Sequence, residues 1–167
     1  MSAFPIRQFP DPILKQPTRP VARVDAGVAK LIEALIATMH HHPRCVGLAA
    51  PQVGSSMRVA VMDASRHPKA SESRGLLVLV NPQIVDAEGG LIQREGCLSI
   101  PDFTASVRRT ARVRVKSHDQ FGSNYEIWLE EFEAVIAQHE IDHLDGKLFL
   151  DRVADLATDV FKRKIYL

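Results

Sequence analysis

Two histidines four residues apart, with a glutamate directly after the first, stand near the end of the chain: His139, Glu140 and His143. On a helix, side chains four residues apart lie on one face, so both imidazoles can bind the same metal ion. Glu140 would then lie beside a metal-bound water without being a ligand, where a carboxylate can act as general base or acid. The spacing predicts a catalytic metal site that needs a third protein ligand.

The residues alone leave that third ligand open. Cys97 follows a glycine, which allows a close backbone approach, and ends a predicted strand, yet a lone cysteine is in general an inert core residue. Cys45 and the downstream carboxylates Asp151 and Asp155 are alternatives. A zincin peptidase would take its third ligand from a downstream glutamate or histidine, and no histidine follows His143.

The bulk composition is that of an ordinary globular protein. The chain has 167 residues, of which 46% are hydrophobic and 25% charged, so we expect a single domain over residues 1–167. A formal net charge of +1 gives no field that would favour nucleic acid. The sequence shows no signal-peptide pattern and no apolar run near the ~20 residues that span a bilayer. With only 2 cysteines and thus no disulfide framework, a cytoplasmic location is expected and membrane binding is not.

Helices are predicted early and late in the chain, and strands between them. An amphipathic helix should begin after Asp25. The predicted strands cover residues 58–63, 76–81 and 83–85, and a hairpin formed by residues 112–116 and 125–129. Residues 131–144 should form a helix that is apolar on more than one side and therefore buried, and residues 151–161 one short helix. This order predicts an α+β fold in which a central buried metal-binding helix packs among short, largely antiparallel β-sheets.

Three separated motifs, in this order, resemble those of the peptide deformylase family. They are GLAAPQ at residues 47–52, EGCLS at residues 95–99 and QHEIDHLDG at residues 138–146. The stretch at residues 7–14 is similar as well, so the resemblance covers roughly residues 6–155. It implies an enzyme that removes the formyl group from N-formylmethionyl peptides and releases formate. A peptidase that shares only the metal helix and a silent binding protein of the same fold are the alternatives.

The resemblance implies three protein ligands for one divalent metal ion, namely Cys97, His139 and His143. Iron(II) would be the native ion, with zinc, nickel and cobalt as alternatives, because thiolate and imidazole bind all of them. Glu140 would take a proton from the metal-bound water and pass it to the leaving amine. The side chain of Gln52 and the backbone N–H of Leu98 would stabilise the oxyanion.

The same resemblance assigns a substrate cleft. Gly47 and Leu48 would lie beside the peptide in an extended pairing. Apolar side chains would line a pocket for methionine, namely Val46, Phe132, Val135 and Ile136. The expected partners are N-formylmethionyl peptides and, near its exit tunnel, the ribosome, although the chain after Val153 is short for such a contact.

The chain departs from the family pattern near the predicted site. Cys45 stands where the first motif begins with glycine in relatives, so a thiol is expected near the cleft. Thr104 replaces a basic residue found in some members, and Glu131 replaces a glycine before the metal helix. The family pattern also predicts an internal ion pair between Asp142 and Arg109.

Overall fold

The computed structural model describes residues 3–164, which form antiparallel sheets around a central helix. The elements in chain order are helix α1 (Ala26–His41), strands β1 (Gly47–Ala49), β2 (Val59–Met62), β3 (Leu77–Glu88), β4 (Leu91–Cys97), β5 (Ile100–Arg109), β6 (Arg112–His118) and β7 (Asn124–Glu130), helices α2 (Glu131–Leu144) and α3 (Leu156–Asp159), and strand β8 (Val160–Lys162). Four-residue 3₁₀ helices lie at Pro12–Lys15, Ala50–Val53 and Phe149–Arg152.

The strands form two sheets. One has 5 strands in the order β1-β2-β3-β6-β7, and the other has 3 strands in the order β4-β5-β8. Neighbouring strands are antiparallel throughout. Strands β1 and β4 are therefore edge strands, each with one side free of a partner strand in its own sheet. The predicted α+β architecture, including the hairpin of β6 and β7, is confirmed.

Helix α2 is the central element, as its sequence predicts. Its apolar residues Ala134, Ile136, Ala137, Ile141 and Leu144 are buried in one core cluster with residues of β2, β3, β6 and β7. The small alanines let the helix approach the sheet closely, and this fixes the position of the histidines further along the helix. Within residues 3–164, no helix combines the length and the apolar character needed to cross a membrane.

Helix α1 covers the other face of the first sheet. The Asp25 side chain accepts a hydrogen bond from the Val28 N–H at 3.0 Å, which caps the helix start as predicted. Residues at helical spacing then pack against β1, β2 and β3, namely Val28, Ile32, Leu35 and Met39. The first sheet is thus buried on both faces where it carries β1.

Strand β3 runs through residues that the sequence predicts as two separate strands. Pro82 interrupts the pattern because it cannot donate a ladder hydrogen bond. Pro82 lies in a register shift between Val80 and Gln83, and Asn81 adopts a left-handed φ of 52°. The strand continues beyond this irregularity, so the prediction of two strands was wrong.

The C-terminal segment also differs from the prediction of one short helix over residues 151–161. It forms the end of a 3₁₀ helix, the four-residue helix α3 and then β8, which pairs with β5. Strand β5 itself was not predicted, since it begins with the mixed segment Ile100–Thr104 and carries Arg108 and Arg109. Pairing with β4 on one side and β8 on the other stabilises it as a strand.

Buried ion pairs join β4, β5 and α2. Arg109 donates from Nε to Glu95 Oε2 at 2.7 Å and from Nη2 to Glu95 Oε1 at 2.9 Å. Its Nη1 donates to Asp142 Oδ2 at 2.6 Å, which confirms the predicted pair. Arg152 adds a hydrogen bond from Nη2 to Asp142 Oδ1 at 2.7 Å. Burial alone would raise the pKa of Asp142, but Arg152 and Arg109 hold that pKa below its usual value.

Replacing Arg109 by methionine should lower the free energy of unfolding by about 3–5 kcal/mol, because Glu95 would stay buried without its guanidinium and Asp142 would keep only Arg152. Chemical denaturation, followed by circular dichroism in the presence of excess metal ion, measures the loss.

The matched control is Arg112→Met, since Arg112 pairs with the exposed carboxylates of Glu88 and Glu130. Exposed ion pairs contribute little, so this variant should lose far less stability. Equal losses in the two variants would contradict a structural role for the buried pairs.

Candidate metal centre and active site

The fold brings Cys97 together with His139 and His143. Cys97 ends β4 at a register shift against β5, and both histidines lie on α2. Their ligand atoms all lie within 4.8 Å of one another. Cys97 Sγ is 3.3 Å from His143 Nε2, and a tetrahedral ion with ordinary metal–sulfur and metal–nitrogen bonds would separate such atoms by roughly 3.5 Å. The three side chains therefore fit one transition-metal ion.

The other candidates for a third ligand are engaged elsewhere. Asp151 accepts hydrogen bonds from Lys15 and from the Leu148 N–H. Asp155 caps α3 by accepting from the Ala157 N–H at 2.8 Å. Of the ligands that the residues alone left open, the structure thus places Cys97 beside the histidines.

The electrostatics of this group favour a bound cation. Burial would raise the pKa of Cys97, but the imidazoles of His143 and His139 hold that pKa well below its ordinary value. Burial would lower the pKa of His139, yet the Cys97 thiolate and the Glu95 carboxylate raise it well above the ordinary value. Negative charge is therefore concentrated around these imidazoles, and a divalent metal ion would balance it.

Glu95 fixes the orientation of one predicted ligand. His139 donates from Nδ1 to Glu95 Oε1 at 2.8 Å, which leaves Nε2 for a metal. The sequence analysis gave Glu95 no role, although a signal exists. Residues two apart on a strand point to the same face, so Glu95 must lie on the side of β4 that carries Cys97.

Glu140 follows His139 directly on α2, lines the cleft and is only 3% exposed. Burial raises its pKa to about 7, although the histidines on either side of it favour the charged form. Within residues 3–164 its Oε2 has no hydrogen-bond partner. An ideal Cβ added to Gly47 would lie 2.5 Å from Glu140 Oε1, so the glycine provides the space for the carboxylate. A carboxyl group with a pKa near neutrality can both accept and donate a proton.

Gln52 directs a hydrogen-bond donor toward the same centre. Its Oε1 accepts from the Ala49 N–H at 3.0 Å, which fixes the orientation of the amide. Its Nε2 then lies 3.4 Å from Cys97 Sγ and 3.2 Å from Ser99 Oγ. Leu98, directly after the thiol, lines the same space.

A cleft of about 810 Å³ opens in front of these groups, between the edges of β1 and β4. Of the predicted substrate-binding residues, five line it: Val46, Gly47, Phe132, Val135 and Ile136. Leu48 does not, because its side chain is fully buried in the core beneath α1. The residue as a whole is 0% exposed, so the prediction that Leu48 lies beside the substrate was wrong.

Cys45 lines the same cleft, as expected from the sequence. Burial and the nearby Glu140 carboxylate raise the pKa of its thiol to about 12, and Sγ–H donates to the Gly47 carbonyl at 3.2 Å. Cys45 is therefore a neutral thiol, and both it and Cys97 are free cysteines.

Glu131 begins α2 with a left-handed φ of 49°. Glycine adopts this conformation without strain, whereas a residue with a Cβ does not. Glu131 therefore carries backbone strain at a position where the family resemblance implies a glycine.

Comparison with known proteins places this chain in a family. Residues 3–159 match the sequence profile of polypeptide deformylase. A peptide deformylase of Syntrophobacter fumaroxidans is 43% identical, with 98% of this chain and 94% of that protein aligned. A crystal structure of a peptide deformylase from Legionella pneumophila aligns with a TM-score of 0.84 at 40% identity, over 93% of this chain and 88% of that one.

A Met-Ala-Ser-bound peptide deformylase from Acinetobacter baumannii aligns with a TM-score of 0.84 at 34% identity, over 91% of this chain and 99% of that one. Sequence and structure agree over nearly the full length of each relative. The chain belongs to the polypeptide deformylase family.

Proposed function

We propose that residues 1–167 act as a single catalytic domain that hydrolyses the formamide of N-formylmethionyl peptides, giving formate and a free amino group. The observation that carries the proposal is the position of Glu140. Its buried carboxylate has an oxygen without a partner within residues 3–164, lies on the helix of both histidines, and faces the same cleft as the Gln52 amide.

Cys97, His139 and His143 would hold the metal ion on which this family depends. A divalent ion held there would polarise the formyl carbonyl and make a water molecule a stronger nucleophile. One thiolate with two imidazoles suits iron(II), zinc, nickel and cobalt, and we propose iron(II) as the native ion.

Glu140 moves the proton in this reaction. As the water oxygen bonds to the formyl carbon, the carboxylate accepts the proton that the water releases. When the carbon–nitrogen bond breaks, the same carboxyl group gives that proton to the amine nitrogen. A carboxyl group in this position can act first as the general base and then as the general acid.

Two donors stabilise the negative charge that develops on the formyl oxygen. We assign them to Gln52 Nε2 and the Leu98 backbone N–H. The Ala49 N–H holds the other end of the Gln52 amide, so its donor is oriented before the substrate arrives. A fixed donor stabilises developing charge without a cost of reorganisation.

The peptide would add a strand to the cleft edges formed by β1 and β4, with Gly47 beside it. Methionine would contact the apolar wall formed by Val46, Phe132, Val135 and Ile136. Newly synthesised protein chains would supply the substrate, so we propose that the reaction takes place in the cytoplasm. A contact of this chain with the ribosome near its exit tunnel stays a prediction.

Glu140→Gln should reduce formate release from formyl-Met-Ala-Ser by about 10²–10⁴-fold, because the amide cannot accept the proton from water. The assay uses protein purified anaerobically and reloaded with iron(II) or nickel. Metal content and thermal stability are measured alongside. Near wild-type turnover with one bound ion would remove Glu140 from the mechanism.

Cys97→Ala should lose its metal ion on dialysis, since only two ligands would remain. Cys45→Ala is the matched control: it removes a thiol from the same cleft and should retain the ion. Metal analysis after dialysis gives the result. A Cys97→Ala variant that keeps one ion and cleaves internal peptide bonds would favour a peptidase.

Gly47→Ala should lower kcat by about tenfold or more without loss of metal, because the new methyl group would push the Glu140 carboxylate out of place. Gly90→Ala is the control, since an added Cβ there meets only the Arg109 carbonyl at 3.9 Å. Equal activity of both variants would show that the position of Glu140 is not critical.

A further inference from the structure

The C-terminal strand brings a positively charged segment to the substrate cleft. Strand β8 pairs with β5 so that Lys162 lies opposite Phe103 and Phe161 opposite Thr104. The Arg163 N–H extends this contact by donating to the Asp102 carbonyl at 2.8 Å. Residues 161–164 therefore form part of the cleft wall on the side of β4.

Arg163 lies directly against the backbone beside the metal ligands. Its Nη2 occupies the place that a Cβ of Gly96 would take, so the guanidinium contacts this glycine closely. Gly96 precedes the ligand Cys97, and neighbouring Cα atoms are about 3.8 Å apart. The guanidinium thus lies against the residue that precedes Cys97 on β4, and it is exposed and lines the cleft.

The exposed charged side chains along this cleft are positive. Its positive side chains are Arg44, Lys69, Arg94, Lys162, Arg163 and Lys164. Its carboxylates, Glu95 and Glu140, are both buried, and Glu95 is already paired with Arg109 and His139. With a formal net charge of only +1 for the whole chain, this positive potential is local to the cleft.

Among residues 3–164, the cations on the β4 and β8 side of the cleft lack partners of opposite charge. Within residues 3–164, no carboxylate forms an ion pair with Arg94, Lys162, Arg163 or Lys164. The Arg94 guanidinium instead lies over the Phe161 ring, 3.7 Å from its centre, which holds β8 against β4. Arg163 has no such contact with an aromatic ring among the described residues, and it is free to bind a ligand.

We propose that Arg163 is a specificity-determining residue that binds a carboxylate side chain at the second or third residue of the formylated peptide. The proposal rests on the deformylase function proposed above. With the formyl group at the metal, an extended peptide advances about 3.3 Å per residue, so the residues after methionine pass Gly96. A guanidinium can bind a carboxylate there through two parallel hydrogen bonds.

The test compares kcat/KM for peptide amides that differ only in charge. One pair is formyl-Met-Glu-Ser and formyl-Met-Gln-Ser, and the other is formyl-Met-Ala-Glu and formyl-Met-Ala-Gln. Amides are used because a free C-terminal carboxylate would itself bind the cation. In one pair the wild type should prefer glutamate by roughly two- to five-fold, as an exposed ion pair gives. The preference should decrease as salt is raised.

Arg163→Gln should bring that ratio close to one, and Arg163→Lys should keep part of it because the charge remains. Arg108→Gln is the matched control, since it removes the same charge from an exposed position of β5 outside the cleft. It should keep the wild-type ratio.

The outcomes separate the two proposals. Turnover of the glutamine peptides with no preference for glutamate in either pair would overturn the role of Arg163 and leave the deformylase function intact. A preference that survives in Arg163→Gln would also overturn it, because another cation would then be responsible. No formate from any peptide, with one metal ion bound per chain, would overturn the deformylase function itself.

Discussion

Arg109 lies where β4, β5 and α2 meet, and its guanidinium binds one carboxylate from β4 and one from α2. Each of these charges would be costly to bury alone, by several kcal/mol per ion. Together they satisfy one another, and Glu95 keeps enough capacity on Oε1 to accept the His139 Nδ1–H as well. The orientation of the candidate metal ligand His139 thus depends on an ion pair network outside the candidate metal centre. This network joins β4, which carries Cys97, to α2, which carries both histidines.

Burial raises the pKa of two neighbouring acids, Glu95 and Glu140, but only one of them has partners that reverse the effect. Glu95 is held in the charged form, because Arg109 and His139 overcome its desolvation and lower its pKa. Glu140 has no guanidinium beside it, so desolvation dominates and raises its pKa to about 7. One carboxylate is therefore a permanent anion that orients a histidine, and the other can exchange a proton. Their different partners, rather than their depth in the protein, separate the structural acid from the chemical one.

The sequence pattern predicted correctly those features that depend on neighbouring residues in the chain. Helix α2 has the predicted bounds because its residues are apolar on several sides, and the spacing of His139 and His143 placed both on one face. Cys97 could be assigned only by resemblance, because its distance from α2 is set by how β4 packs. Strand β8 was missed for a related reason: residues 156–161 carry apolar side chains at helical spacing, and nothing in the segment indicates that β5 offers a free edge.

Each wall of the cleft contains a glycine whose lack of a Cβ leaves space for a charged side chain. Gly47 on β1 leaves space for the Glu140 carboxylate, and Gly96 on β4 leaves space for the Arg163 guanidinium. Glu140 belongs to the buried helix, whose packing also fixes the metal ligands, so its surroundings cannot change without affecting catalysis. Arg163 follows a strand that is attached to β5 by backbone hydrogen bonds, which any side chain permits. If Arg163 has the proposed role, the preference for residues beyond methionine would vary through this strand while the chemistry proposed for Cys97 and Glu140 stays the same.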